Sequence, residues 1–82
     1  MKTIYHVYSD AFGEYDFWFD AKGKYLTSWH SNDASYRKEY MEPLFAAIGV
    51  NVEEGKVSDP RWSNYIKKRL VGDGASLEDL DF

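Results

Sequence analysis

The sequence predicts an α+β domain in the order β-β-β-α-(β)-α, a three-stranded antiparallel meander followed by two helices packed on the sheet. Three observations lead there. Residues 2–9 alternate in the period of a strand; residues 14–30 hold two aromatic-rich runs around Asp20-Ala21-Lys22-Gly23-Lys24; and apolar residues recur at helical spacing in two later stretches. With 82 residues there is room for one core, assigned to 1–74, followed by a flexible acidic-hydrophobic tail at 75–82.

In strand one, Ile4, His6 and Tyr8 share one side, and Thr3, Tyr5 and Val7 the other. Ser9-Asp10-Ala11-Phe12-Gly13 supplies turn residues, so an antiparallel return into Glu14 is expected. The next connection admits two registers. A two-residue Lys22-Gly23 turn sets Phe19 opposite Leu26 and Phe17 opposite Ser28. A three-residue turn with Gly23 in the left-handed region sets Phe19 opposite Tyr25, Phe17 opposite Thr27 and Tyr15 opposite Trp29. The second is favoured because it gathers the aromatics on one face as cross-strand pairs, leaving Asp16, Trp18, Leu26, Ser28 and His30 on the other.

Ser31-Asn32-Asp33 offers capping side chains for a helix over 34–48, whose stripe is Tyr36, Tyr40, Met41, Leu44, Phe45 and Ile48. That stripe is expected to cover the Tyr15, Phe17, Phe19 face. Pro43 predicts a kink near Glu42, and Gly49 a stop. Val50-Asn51-Val52 suits a short strand and Glu53-Glu54-Gly55-Lys56 a turn. Asp59 at N-cap and Pro60 at N1 then begin a second helix over 60–71, with Trp62, Tyr65, Ile66 and Leu70 as its apolar side. Ser76 can cap a last short helix with Glu78 and Asp79 in its first turn, and with Leu77 and Leu80 on one face.

Composition limits the chemistry. Without cysteine there is neither a disulfide framework nor a thiolate metal site, so aromatic packing must hold the fold. Residues 1–10 lack the unbroken apolar run of a signal peptide and no stretch reaches membrane-spanning length, which predicts a cytoplasmic protein with no membrane partner. The net charge of −4 argues against general affinity for nucleic acid. His6 and His30 are the side chains that titrate near neutrality, but neither has a third ligand at a metal spacing or an identifiable carboxylate orienter. Asp16 and Asp20 point to one side of a strand without an inferable cleft. No cofactor or metal is predicted, and no enzyme.

The expected function is a non-enzymatic protein-interaction module, a small acidic inhibitor or modulator of a larger protein or nucleoprotein complex. Its size and charge are those of inhibitors that phages and mobile elements encode against defence systems, anti-CRISPR inhibitors among them; the analogy extends no further. Expected contact residues are Phe12, Asp16, Trp18 and Asp20 on the sheet, and Leu77, Glu78, Asp79 and Leu80 in the tail. If a second helix covers Trp18, that residue is core instead. One alternative is a nucleic-acid-binding regulator using Arg61, Lys67, Lys68 and Arg69; another is a small enzyme using His6 or His30.

Overall fold

A computed structural model describes residues 2–30 and 34–82, with the backbone alone for 34–38. Alternating β formers build β1 (Lys2–Ser9), and the loop through Gly13 returns the chain antiparallel into β2 (Tyr15–Asp20), with Val7 opposite Phe17 and Tyr5 opposite Phe19. The turn into β3 (Tyr25–His30) closes with two backbone hydrogen bonds, Asp20 N–H to the Lys24 carbonyl at 2.9 Å and Gly23 N–H to the Asp20 carbonyl at 3.0 Å. Gly23 takes φ +93, and a Cβ there would collide with the Arg61 carbonyl, so its glycine is required by backbone geometry and by close approach alike.

After β3 come α1 (Ala34–Ala47), β4 (Val50–Gly55) and α2 (Ser63–Gly72), then a 3-10 turn over Leu77–Asp79. The sheet order is β3-β2-β1-β4, with β4 parallel to β1 and the other neighbours antiparallel. The architecture is thus α+β, with one helix on each side of a mixed four-stranded sheet.

The favoured hairpin register holds only at the turn. Phe19 pairs with Tyr25, but a bulge then leaves Leu26 unmatched, and Trp18 pairs with Thr27, Phe17 with Ser28 and Tyr15 with His30. The single extra residue exchanges the faces of everything beyond it. His30 therefore stacks flat on Tyr15 at 4.1 Å, while Trp29 goes to the opposite side and meets Tyr40 edge-on.

The helices also exchange roles. Trp62, Ile66 and Leu70 of the α2 region, rather than the α1 stripe, complete the core with Val7, Tyr15, Phe17 and Phe19. Trp62 stacks on Phe19 at 5.4 Å, and its indole N–H donates to the Lys56 carbonyl at 2.6 Å. α1 lies over the other face, where Phe45 meets the buried Trp18. Both faces carry large apolar residues, so hydrophobicity alone could not assign a helix to either.

Three boundaries differ from expectation. β4 runs through Glu53, Glu54 and Gly55 instead of turning there, because the parallel ladder with β1 extends to Val7. α2 begins at Ser63, since Asp59 holds a preceding turn through bonds from Arg61 N–H to its carboxylate and from Trp62 N–H to its carbonyl. Segment 75–82 is laid on the core: Ala75 and Leu80 are buried and Phe82 is half-buried, with Ser76 and Asp79 forming the expected capping box. Leu77 and Leu80 do not share a face, as Leu77 points to solvent. α1 accommodates Pro43 and ends at Ala47, with Gly49 at φ +75 two residues beyond. The proposed caps Ser31, Asn32 and Asp33 lie outside the described residues, as do the side chains of Tyr36, Arg37 and Lys38.

Candidate functional site

The side chains singled out in sequence separate into three places. On the α1 side of the sheet, His6 is 3% exposed and lies between two carboxylates. Its Nε2 is 2.5 Å from Asp16 Oδ1, and its Nδ1 is 2.9 Å from Glu54 Oε2. β1 supplies the ring, β2 one acid by a diagonal contact and β4 the other directly across the parallel ladder. A neutral imidazole has one N–H, whereas two carboxylates at its two nitrogens require two donors, so this geometry calls for imidazolium. Burial opposes that charge, but the hydrogen bonds to Asp16 and Glu54 outweigh it and raise the His6 pKa above its ordinary value of 6.5.

The arrangement links β1 to both of its neighbouring strands. Both ring nitrogens of His6 are engaged, and Asp16 is buried. His30 is on the other side of the sheet against Tyr15, so the histidines do not form a pair. Among the described residues no group of three acids, histidines or cysteines has the geometry to hold a metal ion. Asp16 and Asp20 do not share a site: the Asp20 carboxylate accepts from Lys22 and Lys24 N–H within its own turn, which holds its pKa below the usual range. One oxygen of Asp16 and the indole N–H of Trp18 are buried without a hydrogen-bond partner among the described residues.

Asp16 and Trp18, expected as sheet-surface contacts, are thus interior, Trp18 fully so. Phe12 tucks against the core beside Gly74. Of the tail residues, Leu80 is buried, whereas Leu77, Glu78 and Asp79 are exposed.

The basic residues do not form one patch. Arg61 precedes α2, is paired with Asp59 at 3.0 Å, donates to the Ala21 carbonyl and lies over the rings of Tyr5 and Trp62. Arg69 donates to Asp73 and Ser28. Lys67 and Lys68 border an open groove of about 730 Å³ together with Asn64, Val71, Gly72 and Leu77.

The third place is the outer side of α1, whose residues the sequence assigns to the core-facing stripe and not to a contact surface. Met41 and Phe45 turn toward the sheet, but Tyr40, Leu44 and Ile48, one turn apart, are 53, 51 and 73% exposed. Beside them a groove of about 410 Å³ is lined by Ile4, Leu26, Met41, Phe45, Ile48 and Val50, among others. No protein-family model, curated protein or solved structure matches this chain.

Proposed function

We propose that this chain is a non-enzymatic protein-interaction module, working in the cytoplasm, that binds and modulates a larger protein through the outer side of α1. The observation that carries this reading is the Tyr40, Leu44, Ile48 stripe, continuous with an apolar groove floored by the sheet. Isolated exposed apolar side chains are ordinary, but three aligned along a helix and the turn that ends it, beside a groove, form the kind of contiguous patch that marks an interaction site. The spacing is that of a helix face presenting anchors at i, i+4 and i+8. The net charge of −4 favours a partner with a cationic surface, through long-range attraction during encounter. A small acidic inhibitor of the phage or mobile-element anti-defence kind fits this description by size and charge.

The test is a paired capture from the native host at moderate salt, using tagged wild type and the double variant Leu44→Asp, Ile48→Asp. One defined protein should be retained by the wild type and lost about tenfold or more with the variant, as expected for central apolar anchors, while the melting curves coincide. Retention by both proteins, or co-purification of nucleic acid alone, sinks the reading.

A further inference from the structure

We infer that the groove between α2 and the C-terminal 3-10 turn is a second docking site, for a short peptide segment of another protein in which acidic residues flank an apolar one. It stands on different residues from the α1 surface and does not depend on it. The lining consists of Asn64, Lys67, Lys68, Val71 and Gly72 on α2 and Leu77 on the turn. In a chain with 14 acidic and 10 basic residues, every ionisable group lining this groove is cationic. Leu77 is 70% exposed although the turn that bears it is fixed by the Ser76 and Asp79 capping bonds and by the burial of Leu80. An apolar side chain is thereby held outward on an anchored backbone, facing Val71 across the groove.

The two lysines differ from their neighbours. Arg69 is turned to Asp73 and Ser28, whereas Lys67 lies over the Phe82 ring at 5.4 Å with no ion pair among the described residues, and Lys68 is exposed without one among them. An ammonium at the rim of an apolar floor selects a carboxylate beside an apolar side chain. Asn64 to Val71 spans about two helical turns, or ~10 Å, the reach of roughly three extended residues. An acid-apolar-acid triplet fills that length. Nucleic acid fits less well, since the lining has no aromatic platform for bases and only two cations to follow a phosphate backbone.

A displayed library of short random peptides, selected on the immobilised full chain, tests this. Enriched sequences should place Asp or Glu on both sides of Leu, Ile or Phe. Measured by fluorescence anisotropy, their affinity should fall about tenfold or more on Lys67→Glu, Lys68→Glu and on Leu77→Ser, as expected for residues at the centre of a site, and be unchanged on Leu44→Asp, Ile48→Asp. All these positions are exposed or half-exposed, and a coincident melting curve confirms that each variant is folded. The inference is overturned by no enrichment, by enriched peptides without acids, by loss on the α1 variant instead, or by a random single-stranded oligonucleotide that outcompetes the peptides at the same lysines.

Discussion

On its α2 side the sheet is sealed by rings. Tyr15, Phe17 and Phe19 follow one another along β2, Trp62 stacks on the last, Tyr65 meets Phe17 and Phe19 edge-on, and the Tyr15 hydroxyl donates to Asp73 at 2.9 Å. On its α1 side the same two central strands present Ile4, His6, Asp16 and Trp18, an ionic cluster set beside apolar groups, with two buried polar atoms lacking partners among the described residues and a helix whose other apolar edge faces solvent. The first face converts burial into stability with few polar costs. The second holds polar groups whose desolvation offsets much of what their pairing contributes. One face of a small sheet can thus carry the fold while the other carries features that stability alone does not require.

The contrast can be broken most severely at Trp62. Trp62→Ala removes a fully buried indole from the sealed face and is expected to cost about 3–5 kcal/mol, enough to unfold a domain of this size at moderate temperature, as read by urea denaturation.

Next comes the ionic cluster. His6→Ala leaves Asp16 buried without its partner and is expected to cost about 3 kcal/mol, whereas the double change His6→Leu, Asp16→Leu should recover much of that loss. The pH dependence has a definite sign. Because the folded pKa of His6 is raised, its contribution is fully present below the unfolded value near 6.5 and disappears as pH rises through the folded value. Urea midpoints should therefore decline as pH rises above about 6.5, and an NMR titration should place the His6 ring above its ordinary value. A midpoint that is flat or rises over that interval contradicts the ionic assignment. On the acid side, the depressed pKa of Asp73, held by the Tyr15 hydroxyl and Arg69, removes stability as pH falls through it.

A smaller effect is expected at Gly55, on the seam between β4 and the sealed face. A Cβ there would stand 2.5 Å from Trp62 Cζ2 and 3.1 Å from Val7 Cγ2, so Gly55→Ala should cost about 1–3 kcal/mol by overpacking. The smallest change belongs to the exposed edge: Ile48→Asp should shift stability by no more than about 0.5 kcal/mol, because nothing in the fold depends on that side chain.

Local chemistry made much of this legible. The alternation of β1, the glycine turn at Gly23, the stop at Gly49 and the Ser76 capping box are each specified within a few residues, and each is found in place. What the sequence concealed is non-local. No turn signal announces Leu26 as a bulge, yet that residue decides whether Trp29 or His30 stacks with the core aromatics. Glu53 and Glu54 read as a polar turn because their role depends on β1: Glu54 sits in a strand so that its carboxylate can meet His6. The His6 to Asp16 contact was within reach, since pairing β1 with β2 through the Ser9 to Gly13 turn brings them onto one face as diagonal neighbours. For the candidate surface, the tail residues and lysines were visible as exposed chemistry, but the outer side of α1 emerged only once Met41 and Phe45 were known to take the sheet.

The parallel pairing of β1 with β4 has a consequence for the order in which the molecule assembles. His6 and Glu54 are 48 positions apart, whereas the meander closes through turns of a few residues. Ring closure over so long a segment comes late in folding, after the local hairpins have already fixed β1 against β2. The first strand made is therefore completed by the last strand added, and the sheet margin opposite β3 is closed only once the chain through α1 is in place.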